Sequence, residues 1–570
     1  MFLRQTKKPN GKTYLAIVKG YRDPITKKSR NKTILPVGYL EDLYDEYDDP
    51  IAHFKALAKQ MTVGEKQQNA PLLCEFNLDE KIDTNSTNRK NIGFVILSFF
   101  YHQLEINYFW SNRQKTANVE YNLNQVFQAL VYLRILYPAS KKATYEALDK
   151  YFLKVDFKRH DMYRALGVFA PYKEDLILWI HKYVSLIYGR DLSLVFYDVT
   201  NYYFEITYED DFRKKGYSKE GRSTPIIQMG LLMDRNKVPI TYELFEGNTN
   251  DSITLMPTLH KLKKGFNLGK VIVVADKAMN SGENIAYNII EGNGYIFSQT
   301  IRGASSEVKD YVLDQSDYVK KSDEFKFKSR VIPTYIWVTD INDKRKRVLV
   351  DQKQVVYYSE KYAKKARNDR EKVIEKTIKL IKKGQTSPPS SAYKYIKQDY
   401  LDLETGELLY IKNLNYLDME KIKEESKYDG YYMICTSELD MDDEEIIGAY
   451  RQLWQIEETF KITKSELETR PVHVSLRDHI ESHFLTCFVS LVLLRLLELK
   501  VDSNEISIKQ LIKEMRNMTG TYLDQNYYMF DYYNDNVKIL EKAVGLDLSK
   551  RFMKLSEINE LIASSKKKNE

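Results

Sequence analysis

Cysteine is scarce: Cys74, Cys435 and Cys487 are the only three in 570 residues, far apart and in no C-x-x-C spacing. That excludes a disulfide scaffold and a thiolate zinc site, and it fits a reducing compartment such as the cytoplasm. The opening stretch, MFLRQTKKPNGK, has no apolar segment, so no signal peptide is expected. The most apolar run, Phe484–Leu494, is too short for a membrane span and is stopped by Arg495; it reads as a core helix, and no membrane partner is expected. Internal repeats and Gly-rich phosphate loops are also missing, so no nucleotide cofactor is expected. Nor does one charge dominate, since 87 Lys and Arg against 80 Asp and Glu leave a net +7. A polyanionic partner must therefore be argued from where the charges lie. What remains, 43% hydrophobic and 29% charged, is the composition of folded globular domains, three or four of them at roughly 100–200 residues each.

The stretch that stands out is GAYRQLWQIEETFKITKSELETRP, Gly448 to Pro471. On one continuous helix, at roughly 100° per residue, Tyr450, Leu453, Trp454, Glu457, Lys461 and Lys464 share a stripe. An acid, two lysines and two aromatic rings make a poor core face. They suit an anion laid along the helix while the acid holds a cation. A solvated helix with a Glu457–Lys461 pair at i, i+4 is the plainer alternative.

Two aspartates upstream favour the first reading. Asp198 ends the β-prone run LSLVFYD, and Asp276 follows Val271–Ala275, a run suited to a strand buried on both faces. Carboxylates at such strand ends sit where open α/β sheets place their sites. With Glu457 they form an all-oxygen set suited to Mg²⁺ or Mn²⁺, and two such ions roughly 4 Å apart clamp both oxygens of an in-line phosphoryl displacement. Singly, each aspartate is more ordinary as a strand-end or turn residue; the set of three carries the reading. Among rival acids, Asp251 reads as the cap of a helix starting near Ser252 and Asp234 as a turn residue. The acid-dense EDLYDEYDD (41–49) reads as a solvated linker. His473, His479 and His483 invite a zinc reading, but HIESH lacks the Glu of H-E-x-x-H in its place, and structural histidines are expected.

On these residues the chain resembles the DDE transposases of bacterial insertion sequences, in the superfamily marked by Y-x2-R-x3-E-x6-K. Tyr450, Glu457 and Lys464 match that signature, with Leu453 in the Arg place. FYDVTNYYFE, GYSKEGR (216–222), FEGNTNDSITL (245–255), VVADKAMNSGENI, RPVHVSLRDHIESHF (470–484) and YPASKK (137–142) extend the similarity from the N-terminus to about residue 500. The resemblance implies an RNase H-like core with Asp198, Asp276 and Glu457 as catalytic residues and ligands of two Mg²⁺ ions, Mn²⁺ serving as substitute. It implies double-stranded DNA as partner: inverted-repeat ends are bound and cleaved, and their 3′-hydroxyls are joined to target DNA. It further implies a homodimer in the end complex, working in the bacterial cytoplasm at the nucleoid. Tyr450 and Lys464 would grip the backbone beside the cut. The stripe adds Lys461, and Trp454 to stack on an unpaired base, while the loop GYSKEGRS offers Lys219 and Arg222. Leu453 removes an Arg that holds DNA near the cut in the family. Arg451, roughly 160° around the helix, cannot replace it without a bend. An RNase H-like nuclease without strand transfer and a catalytically silent DNA-binding protein are the alternatives.

The expected architecture is α/β, an RNase H-like core of a mixed five-stranded sheet with helices, interrupted by a β-rich insertion. Residues 1–60 form a basic β-ribbon arm and acidic linker; the first forty carry ten Lys and Arg against Asp23 alone. Residues 61–190 form a helical domain, a candidate for reading the DNA ends, from apolar spacing in IGFVILSFFYHQL, LNQVFQALVYLRILY and YKEDLILWIHKYVSLIY. Residues 191–300 hold the first part of the core and 301–430 the insertion, whose segment Glu360–Gly384 is a basic helix suited to DNA or to plain solvation. Residues 431–500 hold the second part of the core with the Glu457 helix. Residues 501–570 form a C-terminal helical region and tail.

Overall fold

The computed structural model describes all residues except 10, 23–28, 45, 69–78, 80, 82–83, 85, 219–220, 267–268, 341, 383–393, 400–413, 502–505 and 568–570. It divides into two compact units, Met1–Thr84 and Asn85–Glu570.

The first unit is built on a three-stranded antiparallel sheet, β1 (Phe2–Lys7), β2 (Thr13–Arg22) and β3 (Ser29–Tyr39), with β2 in the middle. Leu15, Ala16, Ile17 and Val18 of β2 are buried, and the helix Pro50–Gln68 packs against β1. The start of the acidic segment is tied to the first hairpin: Lys12 pairs with Asp42 at 2.8 Å, and the Thr13 amide donates to Glu41 at 2.9 Å. Both contacts are exposed and hold the segment only weakly.

The second unit is organised by a nine-stranded sheet where five strands were expected. Five of its strands follow the expected pattern: β5 (Leu194–Tyr203), β6 (Ile226–Asp234), β7 (Pro239–Glu246), β8 (Ile272–Ala275) and β9 (Gly294–Gln299). They lie in the order β7-β6-β5-β8-β9, with β5, β6 and β7 antiparallel and β5, β8 and β9 parallel. The longer described strands of the inserted segment extend this sheet. β10 (Val319–Ser322), β11 (Phe325–Thr339) and β12 (Arg345–Ser359) join β9 through β15 (Tyr431–Thr436). The reason is the exposed edge of β9, which β15 covers, leaving β12 and then β11 to add to it in turn. Two short strands, β13 (Ile396–Asp399) and β14 (Leu414–Leu417), pair separately, and the basic segment forms the helix Glu360–Lys382. The strand expected over YLDLETGELLYIKN and the break expected over QTSPPSSAY lie outside the described residues.

Helices cover both faces of the sheet. On one face Val195, Tyr197, Val273, Ala275 and Phe297 pack with Leu255, Leu259 and Ile285 from the crossover helices Leu255–Phe266 and Gly282–Ile290. On the other, Phe196, Tyr202, Val274 and Ile296 join a large core built with the helices Phe94–Gln103, Leu123–Leu136, Arg159–Phe169 and Arg477–Lys500. The last is long and apolar enough to cross a membrane by length and composition, yet its most apolar window is 94% buried inside the protein. It is apolar all round because it is surrounded. The C-terminal region, expected to be helical, also contributes strands: β16 (Thr519–Tyr522), β17 (Tyr527–Phe530) and β18 (Phe552–Lys554) join β4 (Arg89–Asn91) in a four-stranded sheet beside the helices Ile508–Asn517, Asp535–Val544 and Leu555–Ser564. The aromatic residues of TGTYLDQNYYMF, within the stretch expected to be helical, favour these strands.

Candidate active site

The site begins with strand register. Tyr197 of β5 pairs with Ala275 of β8, so Asp198 and Asp276 come next side by side on adjacent parallel strands. Phe196 and Val274, two residues earlier, face the large helical core, and the period of two turns both carboxylates to that side. Asp276 lies just beyond the end of β8, where the parallel pairing stops. Asp198 does not end its strand: β5 continues through Val199–Tyr203, β-branched and aromatic, paired with β6. Asp276 is held from behind, its Oδ1 accepting from the Ser298 hydroxyl at 3.0 Å and from the Tyr450 hydroxyl at a long 3.4 Å. Burial, and then the charge of Asp276, push the Tyr450 phenol well above its ordinary pKa.

The stretch from Gly448 is not one helix. Asp443–Arg451 and Trp454–Ser465 are two, joined at Gln452 and Leu453 by amide bonds that reach back three residues instead of four. That tighter turn advances the chain by about 120° per residue and shifts the phase between Tyr450 and Glu457. The Glu457 helix packs Ile456, Phe460 and Ile462 into the core. Two contacts fix its placement: Tyr202 and Thr463 share a hydroxyl bond of 2.7 Å, and the buried Arg495 donates to the Thr459 hydroxyl while pairing with Glu498 at 2.5 Å.

This brings Asp198, Asp276 and Glu457 to the walls of one cleft of about 430 Å³, together with Thr200, Leu453, Phe460, Lys461, Lys464 and Arg470. Neither rival acid lines it. Asp234 is fully buried against Arg190 at 3.2 Å, and desolvation pushes its carboxyl up to about 6. Asp251 belongs to a short 3₁₀ turn whose cap is Asn250, a correction to the expected capping role. Of the histidines, His483 is buried and bonded to the Thr469 carbonyl at 3.1 Å, His473 is exposed, and His479 is partly buried. Among the described residues no three His, Cys, Asp or Glu side chains already stand close enough to hold an ion. The cleft's acids are all carboxylates, with no imidazole or thiolate beside them. In kind, that donor set fits a hard, oxygen-ligated divalent ion.

The cationic candidates divide. Lys461 and Lys464 line the cleft. Trp454 is 54% exposed, outside it, with Lys237 at 5.8 Å over its ring. Arg222 stacks on Tyr203 at 3.8 Å, and Lys219 lies outside the described residues. Arg451 is committed elsewhere, over Phe325 and Tyr357 at 4.5 and 5.4 Å. Arg470 was missed by sequence reasoning although its guanidinium enters the cleft, 5.7 Å from the Tyr203 ring. It lies past the helix, outside any periodicity. Arg134 and His483 fix the approach to it by bonds to the carbonyls of Leu467 and Thr469.

A family described as "Transposase DDE domain" matches residues 191–493, the sheet and the Glu457 helix included, and one described as "IS1634 family transposase, N-terminal domain" matches residues 3–71. No curated protein matches the chain. Among solved structures, a piggyBac transposase synaptic complex with hairpin DNA aligns over 86% of this chain and 79% of its own, at 10% identity and a TM-score of 0.32, a likeness too weak to carry an argument. The first match alone covers more than half of the sequence, and the chain belongs to the DDE-domain transposase family.

Proposed function

We propose that this transposase binds the inverted-repeat ends of its element, cleaves them by phosphodiester hydrolysis and joins the freed 3′-hydroxyls to target DNA. The observation that carries this reading is the register of Asp198 and Asp276 on adjacent parallel strands, with Glu457 lining the same cleft. The strand order β7-β6-β5-β8-β9, three antiparallel and then two parallel, supports an RNase H-like core. Asp198, Asp276 and Glu457 would hold two Mg²⁺ ions, or Mn²⁺ in their place. Their chemistry when bound is polarisation of the phosphoryl oxygens and of the attacking and leaving oxygens.

The chain's own groups do the rest. Ser298 and Tyr450 bond one oxygen of Asp276 and would hold its carboxylate in place for an ion. Lys461 and Lys464 draw the phosphate backbone along the Glu457 helix against the repulsion of the three carboxylates. Water in cleavage, and a 3′-hydroxyl in joining, attacks phosphorus and expels the opposite oxygen in line. Trp454 and Arg222 serve DNA outside the cleft. The basic sheet of the first unit acts as a phosphate-contacting arm, the helical region 61–190 reads the ends, and two copies act together on paired ends.

The test is Glu457→Gln, which removes a ligand charge and keeps the size. It should reduce nicking of end-bearing DNA by several orders of magnitude while leaving DNA affinity intact. In the wild-type protein, nicking should require Mg²⁺ or Mn²⁺ and stop on chelation. Normal nicking by Glu457→Gln, or activity that survives chelation, would reject the assignment.

A further inference from the structure

The active-site cleft does not end at Asp276. A second cleft of about 370 Å³ shares Asp276 with it and continues past Tyr450, Tyr432 and Tyr362. A third, of about 460 Å³, shares Arg302, Tyr362 and Tyr432 with the second and runs on to Tyr395 and the helix Glu360–Lys382. Each is in the range of small-molecule sites, ~300–1,000 Å³. The character of the walls changes along the way. Beside the Glu457 helix the cations Lys461, Lys464 and Arg470 share the wall with three carboxylates and one ring, Phe460; beyond Asp276 the walls are tyrosines interleaved with Arg302, Lys365 and Arg370, with Asp369 among them.

The rings are placed firmly. Tyr432 is 39% exposed, stacked on Tyr357 with centroids 5.5 Å apart and planes 12° apart, and the Tyr362 ring lies at 5.0 Å. Arg302 and Arg370 are oriented by a shared bond to Asp429, at 3.2 and 2.6 Å. A paired duplex offers phosphates but no free base faces, so aromatic walls gain nothing from it; an unpaired strand offers both.

We propose that this groove binds an unpaired segment of DNA strand beside the cut, with bases against Tyr432 and Tyr362 and backbone against Arg302 and Lys365. The assignment of the strand to the cut rests on the transposase reading of the three carboxylates. The groove gives the basic helix Glu360–Lys382 a specific task, as the wall that keeps the separated strand from re-pairing over the site.

The experiment measures anisotropy of a labelled short oligothymidylate and of a blunt duplex of the same length, with wild-type protein and with Tyr432→Leu, Tyr362→Leu and the corresponding Phe variants. Each Leu variant should bind the oligonucleotide about 5- to 150-fold more weakly, the range for losing one base–aromatic stack, with little change on the duplex, and each Phe variant should bind as wild type. In parallel, a 5-iodouracil-substituted oligothymidylate should crosslink wild-type protein at peptides containing Tyr362 or Tyr432, a readout that stands even where a Leu variant does not fold. Unchanged affinity in folded Leu variants, or crosslinks confined to Lys461–Arg470, would overturn the proposal. Glu457→Gln separates the two readings: it should retain oligonucleotide binding, and if it still nicks, the carboxylate assignment fails while the groove result stands.

Discussion

His483 should make the protein acid-sensitive. It sits inside the helix Arg477–Lys500, donating from Nε2 to the Thr469 carbonyl at 3.1 Å with the Cys487 sulfur at 3.9 Å. Burial first, and then the cations Lys141 and Arg134, hold its pKa well below 6.5. Between that depressed native value and 6.5, the unfolded chain takes up a proton that the native protein refuses. Stability therefore rises with pH in this window and is lost as pH falls through it. Each pH unit below 6.5 costs at most about 1.4 kcal/mol, so from pH 6.5 to 5 the loss is at most about 2 kcal/mol. Lys141, which burial brings down to about 7, is charged in both states below that pH and drops out of the difference. The perturbation is His483→Gln, which keeps an amide donor for Thr469 and abolishes the titration. Urea unfolding of both proteins at pH 6.5 and pH 5 gives the result. The stability advantage of the wild type over the variant should shrink on acidification, by at most about 2 kcal/mol. An advantage that stays constant would show that His483 titrates alike in both states, and that the reasoning from burial is wrong.

Three further outcomes are expected. Lys464→Ala removes one phosphate contact from the cleft wall; gel-shift affinity should weaken, and the slope of log affinity against log salt should fall by about one unit. Leu453→Arg puts a guanidinium at the carboxylate end of the cleft, where it should tighten DNA binding in the same assay. Leu453 is only 8% exposed and packs into the core, so thermal unfolding should also show a loss of ~1.5–3 kcal/mol. Arg190→Met leaves the buried Asp234 carboxylate without its partner and should cost about 3–5 kcal/mol in chemical denaturation, whereas replacing both residues with apolar ones should recover most of it.

Much of the site's chemistry could be read in the sequence. A β-prone run ending in Asp198, an apolar run ending in Asp276 and a Glu457 flanked by lysines at helical spacing are local patterns, and local pattern is what strand and helix periodicity encodes. The five strands from Leu194 to Gln299 and the helices from Phe94 to Tyr188 follow from the same signal, because each needs only its own residues to declare which face is buried. Tertiary structure decided the rest. Strands β11, β12 and β15 are legible as strands in FKFKSRVIPTYIWVTDI, KRVLVD and YYMICTS, whereas β10 is not, and nothing in them says which edge they pair with, since every strand offers the same backbone donors and acceptors. The break at Gln452 and Leu453 escaped a 100° stripe because three-residue bonds change the angle per residue, and with it the face that Tyr450 presents. Arg470 was illegible for a different reason. It is placed by Arg134 and His483, residues of two distant helices that hold the chain just before it, and no spacing within its own segment records that contact.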